Sequence, residues 1–161
     1  VYGTFPLTVA RHPSETEERM MVRVLAFARH ADEALAFGRG LSSDDEPALS
    51  QADLTGRILL WILVGLPDVK ELRKACSKAD AVVLYVYGGR RTDVWWRQSE
   101  ADVRRLGNLA VWSLPAEATQ ALAAAVQRTM DIDITLQEGR LWVSVPGATL
   151  EIDPVPLHPV G

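Results

Sequence analysis

Two runs of seven apolar residues, Ile58–Val64 (ILLWILV) and Ala81–Tyr87 (AVVLYVY), constrain this chain more than anything else in it. A run without polar alternation has no side to offer water, so each reads as a strand covered on both faces. Gly65 and Pro67 stop the first run. Asp68, with Glu71 three residues on, supplies a helix start, and residues 69–79 carry the helix that links the two strands. Strand, helix and strand in this order form a parallel pair with a right-handed crossover. The pattern then repeats: Gly88-Gly89, a helix from Thr92 to about Leu106, and a strand over 109–114. Pro115 opens a further helix to about Arg128.

The flanks add a second set of elements. Residues 4–9 end a short strand. Ser14 and Glu17 have capping-box spacing, and Met20, Met21, Val24, Leu25 and Ala28 recur at helical intervals, with Arg19, Arg23 and Arg29 mostly elsewhere. A helix over 14–30 follows, then a short one over 32–37 ended by Gly38 and Gly40. Residues 41–55 are polar and rich in turn formers. Residues 132–137 and 141–145, joined at Glu138-Gly139, read as an antiparallel hairpin, and 150–152 add a third short strand. From Pro154 onward there is no core signal. The expectation is one α/β domain over residues 1–153, with a mixed central sheet and flanking helices, and an irregular tail over 154–161. A chain of 161 residues is about one domain's worth and can bury a core without staples.

Cys76 is the single cysteine, so no intramolecular disulfide forms and a reducing compartment is natural. No leader pattern is visible and no apolar run approaches the roughly 18 residues of a membrane span. The chain therefore reads as soluble and cytoplasmic, with no membrane partner. Net charge is −4 but unevenly spread. Residues 65–105 hold nine basic and six acidic side chains, whereas the stretches before and after hold six and nine, and two and six. A basic middle between acidic ends is either ordinary solvated helix surface or one face that accepts an anion.

Much chemistry is excluded outright. His12, His30 and His158 lack ligand spacing, and there is no C-x-x-C or H-E-x-x-H, so a dedicated zinc site is not expected. There is no nucleophile elbow and no Walker loop. Cys76 lies mid-helix, away from the helix starts that activate thiols, and reads as packing. Two features remain. Gly88-Gly89-Arg90-Arg91 follows a strand and precedes a helix, where open α/β sheets bind ligands; its arginines and amides suit a phosphate, against the plainer reading of a turn with exposed arginines. Trp95 and Trp96 cannot share one helix face: one is core, and the other stacks on a base, fills an interface or packs on the sheet edge. Acidic residues gather at Glu15, Glu17 and Glu18 in a first helix turn, where they complement the helix dipole, and at Asp44-Asp45-Glu46 in a loop, where they are either solvated or available to a divalent cation.

The stretch from Ala10 to Met21 (ARHPSETEERMM), then Arg39-Gly40-Leu41, Asp44–Pro47, Leu60-Trp61-Ile62, Gly65–Asp68 and Lys74–Cys76, resembles the YaeQ family. Trp95-Trp96, Asn108-Leu109, Arg128–Met130 and Gln137 fit the same pattern. The resemblance covers nearly the whole chain and implies a strand region ahead of Val1. It further implies a compact variant of the PD-(D/E)XK, restriction-endonuclease-like fold, in bacterial and cytoplasmic proteins. In active members of that superfamily carboxylates on a mixed sheet hold magnesium and a lysine polarises the scissile phosphate. Where the family usually carries an aspartate and a glutamate, this chain has Leu59 and Leu63, which cannot bind magnesium. They would lie about 13 Å apart on one strand, at ~3.3 Å per residue. The expectation is a degenerate domain with no intact metal site and no cofactor. It would bind nucleic acid, weakly and with strong salt sensitivity, through Lys70, Lys74, Arg90 and Arg91, or bind another protein. The alternative is a metal-dependent phosphodiesterase acting on DNA or RNA, in which Glu17 or Glu18, Asp44, Asp45 and Lys74 close around Mg2+ near Leu59 and Leu63.

Overall fold

The computed structural model of the chain describes residues 3–10, 17–30, 35–37, 49–124, 129–137, 140–145 and 148–158. Ten strands and four helices occur among them: β1 (Gly3–Ala10), α1 (Glu17–Arg29), β2 (Leu35–Phe37), β3 (Leu49–Ala52), β4 (Ile58–Val64), α2 (Val69–Lys78), β5 (Ala79–Val86), α3 (Arg90–Val103), β6 (Leu109–Ser113), α4 (Ala116–Ala124), β7 (Thr129–Gln137), β8 (Arg140–Val145), β9 (Ala148–Ile152) and β10 (Val155–His158). They build two sheets rather than one. The larger has the order β10-β6-β5-β4-β3-β2, and the smaller the order β1-β7-β8-β9.

The apolar runs lie where they must. Strand β4 pairs in parallel with β5, and β5 in parallel with β6. Both are central in the larger sheet, with β4 shielded on its other side by antiparallel β3. Asp68 caps α2 as the spacing requires, accepting a hydrogen bond from the Glu71 amide at 2.8 Å. On one face of this sheet, Trp61, Leu63, Val82, Leu84, Val86, Leu109 and Val111 pack against Leu72 and Ala75 of α2 and Trp95 and Val103 of α3. On the other, Leu49, Ile62, Val83 and Tyr85 pack against α1, α4 and the inner face of the smaller sheet, contributed by Ile134, Leu136, Leu141, Val143 and Ile152. The layers therefore run small sheet, α1 with α4, large sheet, α2 with α3.

The second sheet explains why α1 departs from expectation. Every residue from Met20 to Ala26 is buried, Arg23 included. A helix lying between two sheets has no solvent side, so it is apolar nearly all round rather than along one stripe.

Three further expectations are corrected. Residues 35–37 form an edge strand, β2, antiparallel to β3, and not the end of a short helix. The turn-rich stretch 41–55 contains β3, whose Gln51 and Ala52 flank a bulge that leaves Leu59 as the extra residue of β4. The C-terminal stretch is not an irregular tail: Val155–His158 adds β10 antiparallel to β6, with an irregularity between Pro156 and His158. Pro156 is tolerated in β10 because an edge strand has one side free of ladder hydrogen bonds. The capping box at Ser14 and the Asp44–Glu46 loop lie outside the described residues.

Candidate functional site

The acidic site of the nuclease-like reading would need Leu59, Leu63 and the α1 carboxylates on one wall. Leu63 is 6% exposed and sits in the apolar layer between the large sheet and α2 with α3. Trp61, Leu72, Ala75 and Leu84 belong to the same apolar cluster. Leu59, at the bulge, is half-buried. Glu18 belongs to α1, which packs on the opposite face, and its Oε2 accepts a hydrogen bond from Thr119 Oγ1 of α4 at 2.7 Å. The Glu18 carboxylate thus ties the two middle-layer helices together. The placement separates Glu18 from Leu63 by the thickness of the sheet. Of Glu17 only the backbone is described, and Asp44 and Asp45 fall outside the described residues. Among the described residues, no three His, Cys, Asp or Glu side chains gather as a metal-binding group.

The basic candidates are brought to one end of the molecule. Parallel β4 and β5 finish at the same level, marked by the hydrogen bond from the Gly65 amide to the Tyr85 carbonyl at 3.0 Å, and β6 joins them through the Leu114 amide and Val86 carbonyl at 2.9 Å. Helices α2 and α3 begin just beyond that edge. Their starts are tied by the buried Trp95, whose Nε1 donates to the Pro67 carbonyl at 2.6 Å. Lys70 is exposed on the first turn of α2 and Lys74 one turn on; Arg90 and Arg91 are exposed on the first turn of α3. Lower down, Arg73 of α2 pairs with Asp102 of α3 at 3.3 Å.

The turn leading into α3 requires its glycines. Gly88 has φ 119° and Gly89 φ 62°, both in the left-handed region. A Cβ on Gly88 would lie 3.3 Å from the Arg91 guanidinium, and one on Gly89 3.4 Å from Ala116. Arg91 therefore folds back over its own turn. Gly89 provides no side-chain cap to α3. Trp96 is half-buried against the α2–α3 core, so the tryptophan pair is core and near-core. Cys76 is half-buried and its thiol is pushed up to about 11 by burial, which makes it a poor nucleophile.

A cluster that sequence reasoning missed lies on the middle-layer face of the same strand ends. Tyr85 is fully buried, yet its hydroxyl meets His30 Nε2 at 2.6 Å and accepts from Arg29 Nη1 at 3.2 Å. The Arg29 guanidinium also stands over the Trp112 ring, 4.2 Å from its centroid. Burial, followed by the neighbouring Arg29 charge, pushes His30 down to about 4. Burial pushes the Tyr85 hydroxyl up to about 12 despite Arg29. A neutral imidazole, a phenol and a stacked guanidinium are thus locked together. The available signal was Tyr85 itself, a hydroxyl inside an otherwise apolar strand, which needs a partner when buried.

The model of the YaeQ protein family matches residues 1–154. The chain belongs to the YaeQ family. It is 45% identical over 148 residues to the uncharacterized protein YaeQ of Escherichia coli, covering 91% of this chain and 81% of that one. It is 46% identical over 147 residues to the Salmonella typhi protein of the same description, with the same shares covered. Two solved YaeQ structures have the same fold. That from Xanthomonas axonopodis pv. citri gives a TM-score of 0.86 at 45% identity, covering 94% of this chain and 85% of its own. That from Pseudomonas syringae gives 0.86 at 39%, covering 96% and 84%.

Proposed function

We propose that this YaeQ-family protein is a cytoplasmic nucleic-acid-binding domain of nuclease-like, PD-(D/E)XK type that holds its ligand without cutting it. The observation that carries the reading is the apolar enclosure of Leu63 between β4 and α2. A divalent cation needs hard oxygen ligands and tolerates no hydrocarbon wall in their place. The mixed sheet, with α1 and α2 on opposite faces, agrees with a nuclease-like frame. Binding is assigned to Lys70, Arg90 and Arg91, because the first turns of two adjacent helices share one sheet end, and to Lys74 one turn further along α2. Helix starts favour anions, and arginine pairs with phosphate through two parallel hydrogen bonds. The surrounding chain is net acidic, so the contact is local and short.

Incubation of supercoiled plasmid and of an RNA pool with the protein, with and without millimolar magnesium, tests the absence of cutting. A gel-shift at low salt tests binding on the same substrates. Intact substrates with a retarded band are expected. Magnesium-dependent cleavage, abolished by Glu18→Gln or Asp45→Asn, would overturn the reading in favour of a phosphodiesterase.

A further inference from the structure

The outward face of the small sheet follows strict alternation. Asp133, Thr135, Gln137, Arg140, Ser144, Thr149, Glu151 and Asp153 point away from the core, while Ile134, Leu136, Leu141, Val143 and Ile152 point into it. Among the described residues, one outward position breaks the pattern. Trp142, on β8 between Thr135 of β7 and Glu151 of β9, is 38% exposed. It forms part of a shallow cavity of about 270 Å3 with Gln137, Arg140 and Asp153. Arg140 is fixed beside it, paired with Glu151 at 2.9 Å and Asp153 at 3.5 Å.

We propose that this face is a binding site for a neutral saccharide ring, with Trp142 as the stacking platform. The charges of Arg140 and Asp153 cancel within the cavity, and Asp133 and Glu151 make the wider face acidic. A phosphate-bearing ligand is repelled there, which sets this site apart from the basic end of α2 and α3. The polar lining consists of planar groups: an amide, a carboxylate and a guanidinium. Between them they donate and accept side by side, which matches vicinal hydroxyls, each both donor and acceptor. The apolar C–H face of a pyranose lies flat on an indole. A rigid aromatic flanked by a few placed polar groups is the usual composition of a small-molecule site. The site rests on the small sheet alone and is independent of nucleic-acid binding.

The test is saturation-transfer NMR with glucose, galactose, N-acetylglucosamine, maltose and cellobiose, alongside indole N–H shifts of the 15N-labelled protein. At least one sugar is expected to bind with a Kd of about 1–10 mM, the strength of a few contacts on an open surface. Trp142→Ala is expected to weaken it about tenfold or more, the worth of one stacking contact. Gln137→Ala, a change at a solvent-facing position, is expected to weaken it less while leaving the melting curve intact. Absence of transfer from every sugar at tens of millimolar would overturn the proposal. So would binding unchanged in both variants, or binding of adenosine, guanosine or tetramethylammonium in preference to all five sugars.

Discussion

Replacing Leu63 with glutamate places a carboxyl in the layer between β4 and α2 and measures what surrounds it there. The side chain is 6% exposed and belongs to the apolar cluster of Trp61, Leu72, Ala75 and Leu84. Losing the leucine sacrifices part of the ~1.5–3 kcal/mol that its burial contributes. A carboxyl without a partner in that layer has its pKa raised by about 3 units, which costs roughly 4 kcal/mol at neutral pH. Below the ordinary glutamate value of about 4.3 both folded and unfolded states are protonated and this electrostatic part vanishes. As pH rises through that value the unfolded state ionises first and stability falls, levelling off only above the raised folded pKa. Urea or thermal unfolding between pH 4.5 and 8 reads this, with Leu63→Gln as the uncharged control of the same shape. At 2–4 °C per kcal/mol, the glutamate variant should melt on the order of 10 °C or more below native at pH 7.5, and converge on the glutamine variant at pH 4.5. If the glutamate and glutamine variants melt together at every pH, the position is wet or lined with oxygen, and the apolar enclosure is wrong.

Other outcomes follow from the same geometry. Raising magnesium from zero to millimolar at constant ionic strength should leave the native melting temperature unchanged, since a ligand at 100 times its Kd would stabilise by about 2.7 kcal/mol and move it by several degrees. His30, held at about 4 when folded against 6.5 otherwise, leaves the unfolded state with more bound protons between those values. Its contribution is present above pH 6.5 and lost as pH falls toward 4, on the order of 2 kcal/mol given partial exposure, and His30→Gln should remove that slope from pH-dependent unfolding curves. Tyr85→Phe strips the hydroxyl from His30 and Arg29 and should cost about 1–3 kcal/mol in a urea titration. Gly88→Ala forces a β-carbon into the left-handed region and against Arg91, and should cost about 1–2 kcal/mol by the same assay.

How legible this molecule is in its sequence depends on how far apart the partners lie. Strands β4, β5 and β6 and helices α2 and α3 could be read because the apolar runs, Asp68 and the Gly88-Gly89 turn act within a few residues. The second sheet could not. Strand β1 pairs with β7 in the register Gly3↔Leu136 to Ala10↔Thr129, and nothing local fixes a partner so distant. Without that sheet α1 reads as amphipathic, and its buried arginine as a surface one. Strand β2 looked helical because three residues, Leu35–Phe37, carry too little periodicity to separate the two states. At the basic end, the residue types could be read but not their convergence, which depends on two parallel strands ending level. The Arg29–His30–Tyr85 cluster joins positions 55 and 56 apart, and Trp142 stands out only once the hairpin's inward face is known.

The salt dependence of binding is the most direct test of the central claim. Anisotropy of a fluorescein-labelled duplex is measured in EDTA at several salt concentrations, for the native protein and for Arg90→Ala/Arg91→Ala. If Lys70, Lys74, Arg90 and Arg91 each meet a phosphate, log K should fall against log salt with a slope near −3.6, at about −0.9 per contact, and the double variant should flatten it to about −1.8. No binding at low salt, or identical slopes for the two proteins, would contradict the assignment of nucleic-acid binding to the ends of α2 and α3.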